Sequence, residues 1–443
     1  MSLTYEECTF IIKQFREVHP TIMMSRNVHG LQVAFVDEPV LQLVVTSKIE
    51  RSKLPSDEIM LNSFIYNYNG SQRNIRAEVI TAKILLPHGK QLKIDDSLPA
   101  SKAGNESARG VGVRAGDTAT ATVLSGFGTA GWSFILNNVP VCLSNFHVLC
   151  GYGNDTPIGS RVNLKGQNIA SLFVFQPITF GWVANTWDYA LARYDNINDA
   201  LGEMRKCQDG VVYPYPQKLS QDVRVGGEQT YHKAGAREPI CRSGRLIAIG
   251  DRLVGPYKMA GNQNAWFTGQ LIFTIMSRSG DSGSVVIRDS DNTCTGLIFA
   301  GDDETETIAN PLFRNPWEYV GSLKLEKSST ELPVFSGPPI HLLADSNVIS
   351  TEFSFEVDEN TTPFDLPKFA AGKVFLGVAV GTVHILELNV VRRWRIPPPA
   401  PVREGVPVET VMIYEDVKYG GNPKGGFYTD GSDLREMRFM CFG

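Results

Sequence analysis

The sequence Ser-Gly-Asp-Ser-Gly-Ser at residues 279–284 leads directly into the apolar residues Val-Val-Ile at 285–287. This pattern predicts a tight turn that enters a buried strand. The glycines allow unusual backbone angles, so that amide N–H groups can converge beside the hydroxyl of Ser282, as an oxyanion hole requires. An ordinary Gly/Ser turn between two strands fits the same residues, and the rest of the chain has to decide between these interpretations.

Two earlier segments supply the base and the acid that a serine nucleophile needs. The apolar run 141–144 leads to His147, and Asp188 stands directly before the apolar run 189–192. Taken singly, such a histidine is usually an ordinary residue at a strand end, and such an aspartate is usually a turn or cap residue. Together with Ser282 they form the order His, Asp, Ser, with each residue at a predicted junction between a strand and a loop.

The motifs around these residues resemble those of the trypsin-like (chymotrypsin-fold) serine peptidases. The His-Val pair at 147–148 and the Asp-x-Ala-Leu form at 188–191 are common in bacterial members. Two further segments are similar to the family's strands before and after the nucleophile loop, namely 231–246 and 295–311. The resemblance covers about residues 110–325. It is closest to an intracellular branch found in bacteria and in plant leaf-development proteins of the Narrow Leaf type.

This resemblance implies a mainly β fold with a double antiparallel β-barrel of the chymotrypsin type. It also implies a serine endopeptidase that hydrolyses peptide bonds through an acyl-enzyme intermediate. His147 would be the base, Asp188 the residue that orients it, and Ser282 the nucleophile. The backbone N–H groups of Gly280 and Ser282 would form the oxyanion hole. Neither a metal nor another cofactor is implied.

The resemblance further implies a set of substrate-binding residues: Met276, Ser277, Phe299, Ala300 and Gly301. Met276 would form the floor of the specificity pocket, and the lack of an acidic residue there argues against cleavage after Lys or Arg. Many family members have a serine or another small residue where this chain has Phe299. We therefore expect the ring of Phe299 to narrow or block the site.

Other functions fit the same residues. An esterase can use the same triad. A catalytically silent scaffold can use the peptidase fold to bind protein partners, and Phe299 and the unassigned C-terminal region leave this function as an alternative. A thiol nucleophile is also conceivable, since Cys150 lies three residues after His147. The nucleophile loop carries a serine, however, so Cys150 is interpreted as a packing residue. The acidic run 302–306 lacks the spacing of a calcium loop and is interpreted as a solvated loop.

Composition and spacing divide the chain into four segments. These are a small α+β N-terminal domain (1–90), a linker (91–117), a peptidase domain whose two barrels divide near 200–220 (118–327), and a β-rich C-terminal domain of unknown role (328–443). Residues 4–19 predict an amphipathic helix, with Thr4 and Glu7 as a capping box. Pro20 is expected to end that helix.

Charge and hydropathy limit the expected partners. The 443 residues carry a formal net charge of -5 and no long basic run, so no nucleic-acid partner is expected. The sequence has no run of eighteen apolar residues, which excludes a membrane-spanning helix, and no evident signal peptide. We expect a cytoplasmic enzyme that acts on a protein or peptide substrate. Binding of a protein partner, or self-association, through the N- or C-terminal domain is left open.

The sequence also bears on the state of the cysteines and on activation by proteolysis. The chain has seven cysteines and no Cys-x-x-Cys pair, which favours free thiols in a reducing compartment. Secreted relatives are activated by cleavage after an arginine, and the new N-terminus then pairs with the aspartate of the nucleophile loop, here Asp281. The sequence at 109–112 is similar to such a junction.

Overall fold

The structure is a computed structural model. It describes residues 2–24, 27–49, 62–82, 85–87, 90–91, 112–122, 126–151, 153–237, 239–257, 263–315, 317–325 and 331–337, and the backbone of four strands between 351 and 442. The chain divides into two units, Met1–Leu342 and Leu343–Gly443. In the part that the structure describes, no helix is both long and apolar enough to cross a bilayer.

The N-terminal part combines helices with a small set of strands. Its elements are β1 (Leu3–Thr4), α1 (Tyr5–Val18), α2 (Pro20–Met24), β2 (Val28–Phe35), β3 (Pro39–Val45), β4 (Ser63–Tyr68), β5 (Ser71–Thr81), β6 (Leu86–Pro87) and β7 (Lys90–Gln91). Thr4 Oγ1 accepts a hydrogen bond from the N–H of Glu7 at 3.2 Å and so caps α1. The apolar side of α1 is buried, including Ile11 and Phe15. The predicted N-terminal helix is thus confirmed.

The first β-barrel follows. Its region contains β8 (Val113–Ala115), β9 (Thr118–Ala121), β10 (Gly126–Thr129), β11 (Trp132–Leu136), β12 (Val139–Ser144), α3 (Phe146–Leu149), β13 (Arg161–Leu164), β14 (Gln167–Phe175), β15 (Gly181–Asn185), β16 (Ala190–Tyr194) and β17 (Ala200–Met204). Antiparallel pairing runs from β11 through β12, β16, β14, β13 and β9 to β10. Because β10 and β11 are successive segments of the chain, this circuit closes into a barrel.

The second β-barrel repeats this strand order. Its region contains β18 (Arg224–Val225), β19 (Thr230–Ala234), β20 (Cys241–Tyr257), β21 (Gln263–Thr274), β22 (Val285–Arg288), β23 (Thr293–Gly301) and β24 (Glu306–Pro311). Antiparallel pairing runs from β19 through β20, β21, β24, β23 and β22 back to β19. The predicted fold class, mainly β with a double antiparallel barrel of the chymotrypsin type, is confirmed.

Other strands extend these two sheets. The strands β2, β3, β5 and β4 continue the sheet of the second barrel from the edge of β20. In the first barrel, β25 (Glu318–Lys324) pairs with β26 (Glu331–Ser336), which lies parallel to β11. Strand β26 therefore joins the barrel sheet beyond residue 327. Strand β8 lies within the segment expected to be a linker and pairs with β17. The boundaries of the four predicted segments stay predictions.

The second unit contains a separate antiparallel sheet. Its strands are β27 (Thr351–Phe355), β28 (Val374–Ala379), β29 (Ile413–Glu415) and β30 (Met437–Phe442), in the order β27, β30, β28, β29. This agrees with the β-rich C-terminal region expected from the sequence. The sequence also predicts a strand at 383–394 and an extended or loop conformation for the proline-rich segment 396–401, and both lie outside the described residues.

The expectation of free thiols is wrong for one pair of cysteines. Cys207 and Cys241 form a disulfide, whereas Cys8, Cys142, Cys150 and Cys294 are free and buried. The connection between the barrels brings Cys207 back beside the first residue of β20. Sequence spacing did not reveal this pair, because the two cysteines meet through the folding of that connection.

Loss of the disulfide is expected to destabilise the chain. The bond joins cysteines 34 residues apart. A cross-link that closes a loop of that size stabilises a protein by about 3 to 4 kcal/mol, because it lowers the conformational entropy of the unfolded chain. Cys207→Ser should therefore lower the free energy of unfolding in guanidinium by this amount. Reductant should lower it similarly in the wild-type chain and have no such effect on Cys207→Ser. Equal stability of the oxidised and reduced wild type would contradict the expectation.

Candidate active site

The three residues of the predicted triad lie at the ends of barrel strands. His147 is in the short helix α3 directly after β12, Asp188 precedes β16, and Ser282 is in the turn before β22. Strands β12 and β16 pair antiparallel with Ser144 opposite Ala190. This register places the residues that follow β12 beside those that precede β16. Pairing within the first barrel therefore brings His147 and Asp188 together, while Ser282 comes from the second barrel.

The imidazole of His147 is hydrogen-bonded to a buried carboxylate. His147 Nδ1 lies 2.6 Å from Asp188 Oδ2, and the backbone N–H of His147 donates to Asp188 Oδ1 at 3.2 Å. The two side chains are 4% and 0% exposed. A carboxylate only accepts hydrogen bonds, so Nδ1 carries the proton and Nε2 of the neutral ring is left with its lone pair. This is the tautomer that a general base requires.

Residues from both barrels hold Asp188 in place. Its N–H donates to Asn310 Oδ1 at 2.7 Å, and its carbonyl accepts from Asn145 Nδ2 at 2.7 Å. The hydroxyl of Tyr257 donates to Asp188 Oδ2 at 3.0 Å. The sequence assigned no role to these three partners. Asn310 lies in a segment similar to the family's strand, but no local signal marks Tyr257 as a neighbour of Asp188.

Ser282 is buried in the turn before β22, and its hydroxyl points to a backbone carbonyl. Ser282 is 0% exposed, and its Oγ donates to the carbonyl of Phe299 at 3.2 Å. Among the described residues, Nε2 of His147 has no hydrogen-bond partner. The bond between Ser282 and His147 is thus not formed in this arrangement. The Ser282 hydroxyl has to leave the carbonyl of Phe299 before it can bond to Nε2, and catalytic bonds of this kind often tighten when substrate binds.

The nucleophile loop packs closely against the first barrel. The N–H of Thr129 donates to the carbonyl of Ser282 at 2.7 Å. A Cβ atom on Gly283 would lie 2.2 Å from the carbonyl oxygen of Thr129 and 2.3 Å from Ser144 Oγ, and Gly283 has φ +94°. Glycine is therefore needed at this position for packing as well as for backbone conformation. Since Ser144 ends the strand that leads to His147, this contact sets the nucleophile loop beside the base.

The two predicted oxyanion donors lie in the same loop. Gly280 has φ +104°, a value that favours glycine, and its carbonyl accepts from Thr129 Oγ1 at 3.1 Å. Within the described residues, the N–H groups of Gly280 and Ser282 have no acceptor. Phe127 covers this part of the loop, because its nearest ring atom lies 3.2 Å from the position that a Cβ atom on Gly280 would occupy. The two N–H groups are therefore available to a ligand that reaches them.

A buried ion pair between Lys233 and Asp281 supports the nucleophile loop. Lys233 Nζ lies 2.7 Å from Asp281 Oδ2, and the side chains are 0% and 2% exposed. The carboxylate also accepts the N–H of Arg278 at 2.9 Å and that of Arg237 at 3.3 Å. Burial raises the pKa of Asp281, and the charge of Lys233 opposes that rise. The carboxylate that a new N-terminus would bind by resemblance is therefore already paired with Lys233.

The five predicted substrate-binding residues are all buried. Met276 belongs to the hydrophobic core, and the ring of Phe299 packs 4.7 Å from that of Phe267. Ser277 Oγ lies 2.8 Å from Thr307 Oγ1, which also accepts the N–H groups of Met276 and Ser277 at 3.0 Å. Ala300 and Gly301 follow in the same buried strand. Their role in substrate binding stays a prediction, and Thr307 is a neighbour that the sequence did not indicate.

Other chemically active residues have structural surroundings. Burial and the charge of Asp188 raise the pKa of the Cys150 thiol, which fits a packing residue. Burial raises the pKa of Asp302, but hydrogen bonds from the following loop outweigh this effect and lower the pKa to about 2. Those bonds come from the hydroxyl of Thr305 and from the N–H groups of residues 304–306. The described residues contain no group of three or more potential metal ligands.

In comparisons with known proteins, the chain is similar to solved structures but not to curated sequences. No protein-family model and no curated protein sequence matches the chain. Similar solved structures include a Nocardiopsis protease (13% identity, TM-score 0.34), Thermobifida fusca protease A (14%, 0.33) and Cellulomonas bogoriensis chymotrypsin (16%, 0.32). Each match covers 45% of this chain, and 92%, 92% and 91% of those chains respectively. The strand order of its two barrels gives the chain the fold of the chymotrypsin-type serine peptidases.

Proposed function

We propose that the chain is a serine endopeptidase that cleaves peptide bonds in specific intracellular proteins. The observation that carries the proposal is the hydrogen bond between His147 Nδ1 and the fully buried carboxylate of Asp188, in a fold that packs the turn of Ser282 against Ser144 at the end of β12. Burial of a carboxylate is costly unless it is well paired, so this arrangement favours a specific role for the dyad.

In the proposed reaction, Ser282 Oγ attacks the carbonyl carbon of the scissile peptide bond. His147 Nε2 takes the hydroxyl proton, and Asp188 stabilises the imidazolium that forms. The N–H groups of Gly280 and Ser282 bind the oxyanion of the tetrahedral intermediate. The imidazolium then protonates the leaving amine as the C–N bond breaks. Water hydrolyses the acyl-enzyme by the same proton transfers in reverse.

Substrate binding has to be accompanied by a local rearrangement. Ser282 is fully buried, and its hydroxyl must leave the carbonyl of Phe299 before it can bond to His147. The carbonyl of Phe299 then becomes free to accept a hydrogen bond from an extended peptide. The ring of Phe127, which lies over Gly280, has to shift as well. The proposed activity therefore includes an opening step before acylation.

Activity-based labelling tests the proposal. The intact chain is incubated with a fluorophosphonate, digested and mapped by mass spectrometry. We expect one modified peptide with the label on Ser282, because an activated serine attacks phosphorus as it attacks a carbonyl. Cleavage sites in a proteome then report the residue preference. A peptidase cuts proteins in this assay, whereas an esterase is labelled but releases no new protein termini.

A second candidate function is a catalytically silent scaffold that binds protein partners through the peptidase fold. The burial of Ser282 and of the Phe299 ring favours it, because neither group is open to a substrate. The absence of labelling at Ser282 in folded protein would favour the scaffold over the enzyme. A cytoplasmic location, and association through the N- or C-terminal domain, are proposals under either function.

A further inference from the structure

Tyr257 contacts the dyad from the second barrel. It is the last residue of β20, a strand of 17 residues. Its hydroxyl donates to Asp188 Oδ2 at 3.0 Å, and the same oxygen lies 2.6 Å from His147 Nδ1. In the described part of the chain, Tyr257 and His147 are the residues that donate hydrogen bonds to this carboxylate. Two donors therefore share the oxygen that faces the base.

The ring of Tyr257 is fixed by other aromatic rings. It lies 5.7 Å from the ring of Phe180, 6.3 Å from that of Phe267 and, edge to face, 6.0 Å from the imidazole of His147. Phe267 in turn packs on Phe299. Tyr257 is almost fully buried, at 1% exposure. Such packing leaves the hydroxyl little freedom to turn away from Asp188.

The hydroxyl acts as a donor at neutral pH. Burial, together with the charge of Asp188 and the hydrogen bond to it, raises the pKa of Tyr257 well above its usual value. The phenol therefore keeps its proton. A hydrogen bond donated to a carboxylate stabilises the charged form and withdraws electron density from it. Asp188 consequently attracts the imidazolium of His147 less strongly than it would without Tyr257.

We propose that Tyr257 is a positioning residue that orients Asp188 and tunes the strength of His147 as a base. The inference rests on the proposed peptidase function. No feature of the sequence around Tyr257 indicates this role.

Among the described residues, few other charged or titratable groups lie near the dyad. Cys150 interacts with Asp188, and burial keeps its thiol neutral. Of the elements packed against α3, β16 carries Arg193, which is exposed, and Tyr194, whose hydroxyl bonds to Ser133. Strands β9 and β10 carry no titratable side chain. In the nucleophile loop, Asp281 is paired with Lys233. A change at Tyr257 is therefore expected to act on His147 through Asp188.

Tyr257→Phe tests the proposal, because it removes the hydroxyl and keeps the ring. The rate of labelling by a fluorophosphonate is measured against pH for the wild type and the variant. Without its second donor, the carboxylate of Asp188 holds the protonated imidazole more strongly. The midpoint of the rate profile should then move up by about half a pH unit. The plateau at high pH should fall by about 3-fold to 10-fold, because Asp188 is less well oriented.

A readout that does not depend on activity separates this proposal from the proposed function. The ring of His147 is titrated by NMR in chain labelled with ¹⁵N-histidine, in Ser282→Ala with and without Tyr257→Phe. The same upward shift is expected there, even if no serine is labelled. The matched control is Tyr194→Phe, which removes a buried hydroxyl that bonds to Ser133 at 2.6 Å. The control should leave the midpoint unchanged.

The outcomes are clear in both directions. An upward shift with Tyr257→Phe, and none with Tyr194→Phe, supports a positioning role. An unchanged midpoint with a folded variant overturns it, as does an equal shift in the control. If the wild type is not labelled but Tyr257→Phe still moves the NMR midpoint up, the proposed peptidase function is rejected. The proposed link between Tyr257, Asp188 and His147 is then retained.

Discussion

Ser282→Ala is expected to remove fluorophosphonate labelling and to lower peptide turnover by about 10⁶-fold, as loss of a triad nucleophile does elsewhere. The hydroxyl is the atom that forms the acyl bond, and no other group in the loop takes its place. His147→Ala should have an effect of similar size, because the serine and its base act as one unit. Turnover is measured with a protein substrate found by proteome-wide identification of cut sites.

Ser284→Ala is the matched control for this variant. Ser284 lies two residues further in the same loop, is also fully buried, and its hydroxyl has no hydrogen-bond partner among the described residues. Its removal should leave both labelling and turnover close to those of the wild type. Thermal unfolding checks that each variant is folded. Undiminished labelling of folded Ser282→Ala would rule out Ser282 as the nucleophile.

Lys233→Met is expected to lower the free energy of unfolding by about 3 to 5 kcal/mol, because it leaves the buried carboxylate of Asp281 without its cation. The same carboxylate accepts the N–H groups of Arg278, two residues before Gly280, and of Arg237, and so holds the loop that carries the oxyanion donors. Labelling at Ser282 should therefore be slowed in the variant that still folds. Denaturant unfolding and the labelling rate are measured on the same preparation.

Two further variants sharpen this test. Arg161→Met breaks the ion pair with Asp195, whose side chains are 44% and 46% exposed, and should cost less than about 1 kcal/mol. Adding Asp281→Asn to Lys233→Met removes the unpaired charge and should recover part of the stability. If Lys233→Met is as stable as Arg161→Met, then the buried pair does not support the loop.

The pairing of Lys233 with Asp281 also bears on activation. An internal cation occupies the carboxylate that a new N-terminus would otherwise bind, so we expect the uncut chain to be labelled without prior proteolysis. The segment 109–112, which is similar to such a junction, lies mostly outside the described residues. Labelling that appears after cleavage there, and is absent before it, would contradict this expectation.

Local patterns predicted the helix α1 and the turn before β22 because their causes lie within a few residues. Thr4 caps the N–H of Glu7 three positions away. The bond of Cys207 to Cys241 has no such local cause, and the rule that favours free thiols in a long chain without a signal peptide was wrong for this pair. Burial of Met276 and Phe299 likewise results from strands that are distant in the sequence.

By itself, the sequence determined which groups are available for chemistry and in which order they stand, because turn residues and apolar runs act over short distances. The tertiary structure alone decided three things: the register that brings His147 to Asp188, the reach of β20 that delivers Tyr257, and the pairing of Asp281 with Lys233. It also decided that the hydroxyl of Ser282 turns to Phe299. These contacts join residues far apart in the chain, and they depend on strand order and on how closely the two barrels pack.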